Sequence, residues 1–428
     1  MKFYNNPPQS EWAEICIRPA LESGNLNAII EDIFNTVATS GDKALRDYTL
    51  RFDNVRIDDL LVSQEEIENA ATQISSELKV SIALAINNVR QFHTAQKLER
   101  TIIETSPGVE CWQEERPIEK VGLYIPGGSA PLFSTIIMLA VPAQIAGCKE
   151  LILCTPPDQQ GKINPAILYT ASQTGVTSIF KVGGAQAIAA LTYGTESVPA
   201  VYKLFGPGNQ YVTAAKQFAQ QKGVAIDMPA GPSELLVYAD ETANPAFVAS
   251  DLLSQAEHGP DSQVVCVSDS EKVLKMVQAE VDAQLALLPR KDIAEKALAN
   301  SLFVNFDVLK EASQFINEYA PEHLIICSEN EEFLIKNTLN AGSVFLGNYS
   351  PESAGDYASG TNHTLPTSGY AKTYSGLSLQ AFTKKITFQR LTSQGIQTIG
   401  PAIETMAEAE GLQAHKNAVT LRLNEIKK

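Results

Sequence analysis

The stretch Val121-Gly-Leu-Tyr-Ile-Pro-Gly-Gly-Ser-Ala-Pro131, with the apolar run Leu132 to Ala146 and then Glu150-Leu-Ile-Leu-Cys-Thr155, decides the fold. It reads strand, glycine-rich turn, helix, strand. Apolar runs without polar alternation fit strands covered on both faces. Such runs alternating with helices imply a parallel, doubly wound sheet. Working outward, Asn164-Pro165 starts a helix that runs to Gly175, with proline where its missing N–H costs nothing. Ser178-Ile-Phe-Lys-Val, Tyr202-Lys-Leu-Phe, Val224-Ala-Ile-Asp and Glu234-Leu-Leu-Val-Tyr-Ala read as strands, and 185–191 and 209–222 as helices. After a helix opened by Asn244-Pro245 the alternation resumes. Strands are predicted at 263–267, 302–305, 323–327 and 343–346, and helices at 271–288, 291–300 and 308–319. A second α/β unit, similar in layout to the first, is the expectation. Ahead of the deciding stretch, residues 1–20 read as an arm. Two helical patterns follow from Leu26 to Phe52, the second starting at Ser40-Gly-Asp. Ser63 and Glu66 have capping-box spacing at the head of further helix extending to about Lys97. From about 378 the tail reads as mostly helical.

A chain of 428 residues is too long for one core. The 33 basic residues against 49 acidic ones give a net charge of −16, which disfavours nucleic acid and anionic membrane as partners. Six cysteines are scattered without CxxC pairs and read as reduced, mostly buried thiols; Cys148 and Cys154 have a strand between them and read as core. The first residues carry no apolar signal core. The longest apolar stretch, Pro131 to Cys148, is interrupted by Ser134, Pro142 and Gln144 and is too short to span a bilayer. Cytoplasm is expected.

Three strand-to-helix turns are glycine-rich, at 124–131, 182–188 and 205–211, where open α/β sheets place ligands. None matches G-x-G-x-x-G: Gly206-Pro-Gly-Asn has the first two glycines, but Tyr211 stands in the third position. Gln255 and His258 lie three apart on the last turn of one helix and project from one face. They suit two corners of a metal site, or a histidine interacting with carbonyls at a helix end. Glu322 and His323 follow a helix stop at Pro321, at the mouth of a strand; a carboxylate beside an imidazole suits two proton transfers near neutral pH. The glycine-rich segment 352–366 holds Asp356 and His363, and the tail holds Glu410 and His415. His93, with no metal-type neighbour in sequence, reads as a surface or core residue. Gln255, His258, Asp356 and His415 form an oxygen- and nitrogen-rich ligand set without thiolate, suited to zinc, manganese or cobalt. Spacing alone does not show that they converge. A zinc hydrolase with Glu322 as base and a non-catalytic metal- or nucleotide-binding protein are the competing readings.

These motifs carry a resemblance over nearly the whole chain. Val121-Gly-Leu-Tyr-Ile-Pro-Gly-Gly-Ser-Ala-Pro, Val182-Gly-Gly-Ala-Gln-Ala-Ile-Ala-Ala-Leu, Phe205-Gly-Pro-Gly-Asn, Pro229-Ala-Gly-Pro-Ser-Glu, Leu253-Ser-Gln-Ala-Glu-His-Gly, Asn317-Glu-Tyr-Ala-Pro-Glu-His-Leu, Gly355-Asp-Tyr-Ala-Ser-Gly-Thr-Asn-His-Thr-Leu-Pro-Thr and Glu410-Gly-Leu-Gln-Ala-His resemble the histidinol dehydrogenase family of bacteria and plants. The resemblance implies oxidation of L-histidinol to L-histidine through bound histidinaldehyde with two NAD+, the last step of histidine biosynthesis. It implies zinc held by Gln255, His258, Asp356 and His415, with the metal gripping the substrate. It makes His323 the base for the alcohol proton and Glu322 the group that activates water. Ser233, His363 and Glu410 match substrate positions, alongside the zinc ligands and His323. Tyr124, Gln186 and Asn209 match NAD contacts. The family fold implies two incomplete Rossmann-like doubly wound units with an N-terminal arm and a small helical C-terminal domain. The expected division is an arm at 1–20 and a larger α/β domain from 21–123 and 237–377 carrying most of the metal site. An NAD-side domain would span 124–236 and a helical dimerisation tail 378–428. In the implied homodimer the tail completes the site of the other subunit.

Overall fold

Both α/β units form, each with its own sheet. In the computed structural model, which describes residues 1–19, 26–127, 131–229 and 231–428, the chain begins with strand β1 (Lys2–Asn5) and helix α1 (Gln9–Ile15). Helices α2 (Leu26–Phe52), α3 (Gln64–Gln73) and α4 (Ser76–Thr94) lead to strands β2 (Ile102–Ser106) and β3 (Val109–Pro117). The first unit follows as β4 (Lys120–Tyr124), α5 (Phe133–Ala146), β5 (Glu150–Thr155), α6 (Pro165–Gln173), β6 (Ser178–Lys181), α7 (Gly184–Tyr193), β7 (Lys203–Phe205), α8 (Gln210–Gln221) and β8 (Ala225–Ile226). The second comprises β9 (Glu234–Ala239), α9 (Pro245–Ala256), β10 (Gln263–Ser268), α10 (Glu271–Leu285), α11 (Lys291–Ala299), β11 (Leu302–Asn305), α12 (Leu309–Tyr319), β12 (His323–Cys327), α13 (Glu331–Asn337) and β13 (Ser343–Leu346). Helix α14 (Glu352–Tyr357), strand β14 (Thr383–Leu391) and helices α15 (Ser393–Ala409) and α16 (Gln413–Ile426) complete it.

The first sheet runs β6-β5-β4-β7-β8 and the second β1-β11-β10-β9-β12-β13, with every pairing parallel. Within each unit the spatial order is third, second, first, fourth, fifth strand. That is the Rossmann order without its sixth strand. The local signals act as read. Ser63 accepts from Glu66 N while the Glu66 side chain returns to Ser63 N, and Asn164 and Asn244 cap helices opened by proline. Gly41, at φ +51°, breaks α2 where Ser40-Gly-Asp marks a second helix. Residues 235–239 of β9 are wholly buried, with α9 and α10 covering one face and α12 the other. Burying each such leucine or valine contributes about 1.5–3 kcal/mol.

Two expectations need correction and a third needs detail. Helices α2, α3 and α4 pack on α7, α6 and α5, the first two in apolar clusters shared with the first sheet and α4 in one shared with α5. Residues 26–94 therefore sit with the 124–236 unit rather than with 237–377. Their apolar stripes match its helices, a tertiary choice that periodicity does not encode. The arm is not merely an arm: β1 extends the second sheet alongside β11, and Trp12 packs edge-on against Phe306 and Phe315. The tail is mostly helical, with a 3-10 turn at Leu379–Phe382, but its α-helices start only at Ser393. Before that, β14 pairs antiparallel with β3, which also pairs with β2, giving a third, three-stranded sheet. Gly128, Ser129 and Ala130 of the first glycine-rich turn, Ala230 of the Pro229-Ala-Gly motif and the arm boundary at 20–21 lie outside the described residues. Among the described residues no helix is long and apolar enough to cross a membrane.

Candidate active site between the two sheets

Strand register builds the centre of the site. On β12 and β9, His323 pairs with Leu235, so the preceding residues, Glu322 and Glu234, meet at the amino edge of the second sheet. Glu234 N donates to Glu322 Oε2 at 2.9 Å. His323 Nδ1 lies 3.1 Å from Glu234 O. A carbonyl only accepts, so Nδ1 carries the proton and Nε2 keeps its lone pair. That Nε2 is buried without a hydrogen-bond partner among the described residues, 3.8 Å from Asp356 Oδ1. Burial pushes the His323 imidazole below its ordinary range, with Asp356 pulling the other way. Burial also raises the Glu322 carboxyl well above the usual carboxylate range, against the pull of the Glu234 N–H. Two neighbouring titratable groups displaced in opposite directions mark a functional-site candidate.

Glu322 and His323 line a cavity of about 710 Å³ together with Ser233, Gln255, His258, Asp356 and His363. Gln255 and His258 come from the end of α9, as their spacing requires. The neighbours of the Gln255 carboxamide fix its orientation: a nitrogen turned to Glu352 donates to both carboxyl oxygens, at 2.6 and 3.2 Å, which leaves the oxygen to accept from Glu234 N at 3.2 Å, and the opposite orientation satisfies neither side. His258, Glu352 and Asp356 place ligand atoms within 4.8 Å of one another. Burial, then the nearby Asp356, keeps the Glu352 carboxyl raised. His363 is tied to Asp356 O through Nδ1 (3.0 Å) and to Thr135 Oγ1 through Nε2 (3.1 Å). Thr135 opens α5, so this histidine bridges the two units.

A second cavity, of about 1020 Å³, lies at the carboxyl edge of the first sheet and holds Tyr124, Gln186 and Asn209. Asn209 lines both cavities. The Tyr124 hydroxyl accepts from Gly184 N at 3.0 Å, and burial raises its phenol, so it stays neutral. Asn209 caps α8 by accepting from Tyr211 N and Val212 N. Glu410 and His415 line neither cavity; both are exposed, at the end of α15 and on α16. His93 is a core residue, its Nδ1 2.8 Å from Val89 O.

The reading from sequence passed over Glu234, Glu352 and Thr135. Glu234 had a signal: it is a charged residue opening an otherwise apolar strand. Glu352 and Thr135 had none beyond composition.

A buried carboxylate–imidazole pair in a cleft between two parallel, Rossmann-ordered sheets defines an α/β enzyme. The histidinol dehydrogenase family matches residues 16–423. The chain is 58% identical to the histidinol dehydrogenase of Bacteroides fragilis over 428 residues, covering 100% of both. It is 52% identical to that of Escherichia coli K12 over 427 residues, covering 99% of this chain and 98% of that one. The crystal structure of histidinol dehydrogenase from Elizabethkingia anophelis superimposes with a TM-score of 0.98 at 56% identity, covering 100% of this chain and 99% of that one. The chain belongs to the histidinol dehydrogenase family, and it is an oxidoreductase of the histidine-biosynthesis step.

Proposed function

We propose that this site carries out the four-electron oxidation of L-histidinol to L-histidine through bound L-histidinaldehyde, reducing two NAD+ in turn. The carrying observation is the His323 Nε2: buried, without a hydrogen-bond partner among the described residues, opposite an Nδ1 that faces Glu234 O, and in a cavity that shares Asn209 with its neighbour. Gln255, His258 and Asp356 would hold zinc, with His415 as fourth ligand. The oxygen and nitrogen donors at the end of α9 and on α14 suit that ion. Zinc, when bound, supplies a Lewis-acid anchor for the substrate imidazole and amine. NAD+, bound against Tyr124, Gln186 and Asn209, supplies the electron acceptor for each step.

The chain's own groups do the rest. His323 takes the alcohol proton at Nε2, its Nδ1–H held by Glu234 O so that the ring cannot turn away. Glu322, raised by burial, is a strong base once ionised and activates water against the aldehyde. Ser233, His363 and Glu410 position the substrate. Several polar contacts at once retain the reactive aldehyde between steps. The protein would act as a cytoplasmic homodimer in which the C-terminal tail brings Glu410 and His415 to the other subunit's site. Their position outside both cavities of their own chain supports that arrangement.

The test is NADH absorbance with histidinol, NAD+ and zinc. Two NADH per histidinol, lost on chelation and restored by zinc, is the expected result. No NADH with metal present would reject the dehydrogenase reading, and one NADH with accumulating aldehyde would reject the four-electron one.

A further inference from the structure

Glu234 touches three site side chains through its backbone alone. Its N–H meets Glu322 Oε2 at 2.9 Å and the Gln255 oxygen at 3.2 Å, and its carbonyl fixes His323 Nδ1 at 3.1 Å. A peptide group in that position must not rotate, and the Glu234 side chain is anchored as firmly as its backbone. Its carboxylate, 1% exposed, receives a two-point grip from Arg18: Nε to Oε1 and Nη2 to Oε2, both at 3.1 Å. Ser368 N adds a third donor, to Oε1, at 2.6 Å.

Arg18 is itself over-determined. Its guanidinium donates to Cys16 O (2.9 Å) and to Tyr319 O, and lies 3.7 Å over the Tyr319 ring. Tyr319 is the last residue of α12, three before Glu322. The N-terminal segment, the end of α12, the start of β9 and the 363–368 loop thus converge on one ion pair behind the catalytic groups. A buried pair of this kind earns little net stability over an apolar replacement, so its worth here is geometric.

We propose that Glu234, locked by Arg18, is the positioning residue that fixes the His323 tautomer and aims Glu322 and Gln255 into the cavity. This rests on the reading that Glu322 and His323 carry the chemistry. A planar fork of five donors can hold both carboxylate oxygens and both carbonyls together; a lysine ammonium, with three donors at one point, cannot satisfy all four.

The experiment uses the zinc-loaded full-length protein and its Arg18→Ala, Arg18→Lys and Glu234→Gln variants, each labelled with 15N-histidine. The His323 resonances are assigned by their loss in His323→Asn. Wild type should show His323 protonated at Nδ1 and bare at Nε2, and Glu234→Gln and Arg18→Ala should show mixed tautomers. For histidinol oxidation, kcat should fall about 10- to 100-fold, with little change in KM for NAD+. Arg18→Lys should fall between wild type and Arg18→Ala, and guanidinium ion should restore part of the Arg18→Ala rate. Unchanged His323 resonances in folded Glu234→Gln, or wild-type kcat in Arg18→Ala, would overturn the proposal. If Arg18→Ala does not fold, Glu234→Gln and Arg18→Lys decide it. The spectra do not depend on turnover, so a wild type inactive on histidinol would reject the functional reading and leave the positioning result standing.

Discussion

The two α/β units share a strand order but turn opposite edges to the cleft. The first offers its carboxyl edge: the ends of β4, β6 and β7, with Gly184 and Asn209 at the heads of α7 and α8. The second offers its amino edge, where β9 and β12 begin with Glu234 and His323. At the carboxyl edge of the second, the usual ligand position of such sheets, the protein supplies its own anion. Asp240 Oδ1 accepts from Thr242 N and Thr242 Oγ1 at 2.8 and 2.5 Å, and its Oδ2 accepts from Ser328 Oγ and Glu329 N at 2.6 and 2.8 Å. Donors that would hold a phosphate are therefore taken. On the function proposed above, one topology serves two tasks: backbone turns hold a ligand at one edge, and side chains perform chemistry at the other.

If that division is right, replacements at the amino edge change rates and leave cofactor affinity alone. His323→Asn should lower alcohol oxidation roughly 100- to 10,000-fold, the span of general acid–base catalysis, with KM for NAD+ unchanged. Glu322→Gln should slow the aldehyde-to-acid half more than the alcohol half, because only the former consumes water. Supplying histidinaldehyde directly separates the two halves; equal slowing of both would remove the water-activating role.

Much of this contrast could be read from the residues. Strand–turn–helix alternation located both units, and the capping signals at Ser63, Asn164 and Asn244 behave as local chemistry dictates. Gln255 with His258, and Glu322 with His323, were visible because helix and strand periodicity fixes near neighbours. What was not readable depends on distant partners. Strands β3 and β14 carry charged or polar side chains at most positions and hold together through pairs across the sheet, such as Trp112 stacked on Phe388 at 5.5 Å and Lys385 opposite Glu115. Nothing local announces a pairing between segments so far apart. Glu234 faces Glu322 only because of the β9–β12 register, which no single segment specifies.

Buried acids outside the cleft are not all compensated alike. In the first unit, Asp227 lies against Lys216 and accepts from Gly206 N at 2.9 Å. In the second, burial pushes Asp251 up to about 7 from 3.8, opposed only by the Glu352 N–H. A raised folded-state pKa means that the folded protein holds this proton more tightly than the unfolded chain does. Its stabilising contribution is full below about pH 4 and is lost as pH rises through about 7. Asp251→Asn removes the penalty for ionisation, so at pH 8 the variant should be more stable than wild type by as much as about 4 kcal/mol. At pH 4 that gain should vanish. Thermal unfolding at the two pH values checks the sign, and an equal change at both would show that Asp251 does not titrate in this way.

A smaller effect tests the carboxyl edge. Gly206 sits at φ +124°, and a Cβ there would lie 2.1 Å from Tyr124 O, a backbone atom that cannot swing aside. Gly206→Ala should cost about 1–3 kcal/mol and displace the β7–α8 turn that borders both cavities, raising KM for NAD+ more than it lowers kcat. Gly223→Ala is the matched control, since Gly223 has φ +91° but nothing within 4 Å of its would-be Cβ. It should show the backbone strain without the cofactor effect. If Gly206→Ala instead lowers kcat at saturating NAD+ and leaves KM unchanged, the turn takes part in the chemistry and the separation between the two edges fails.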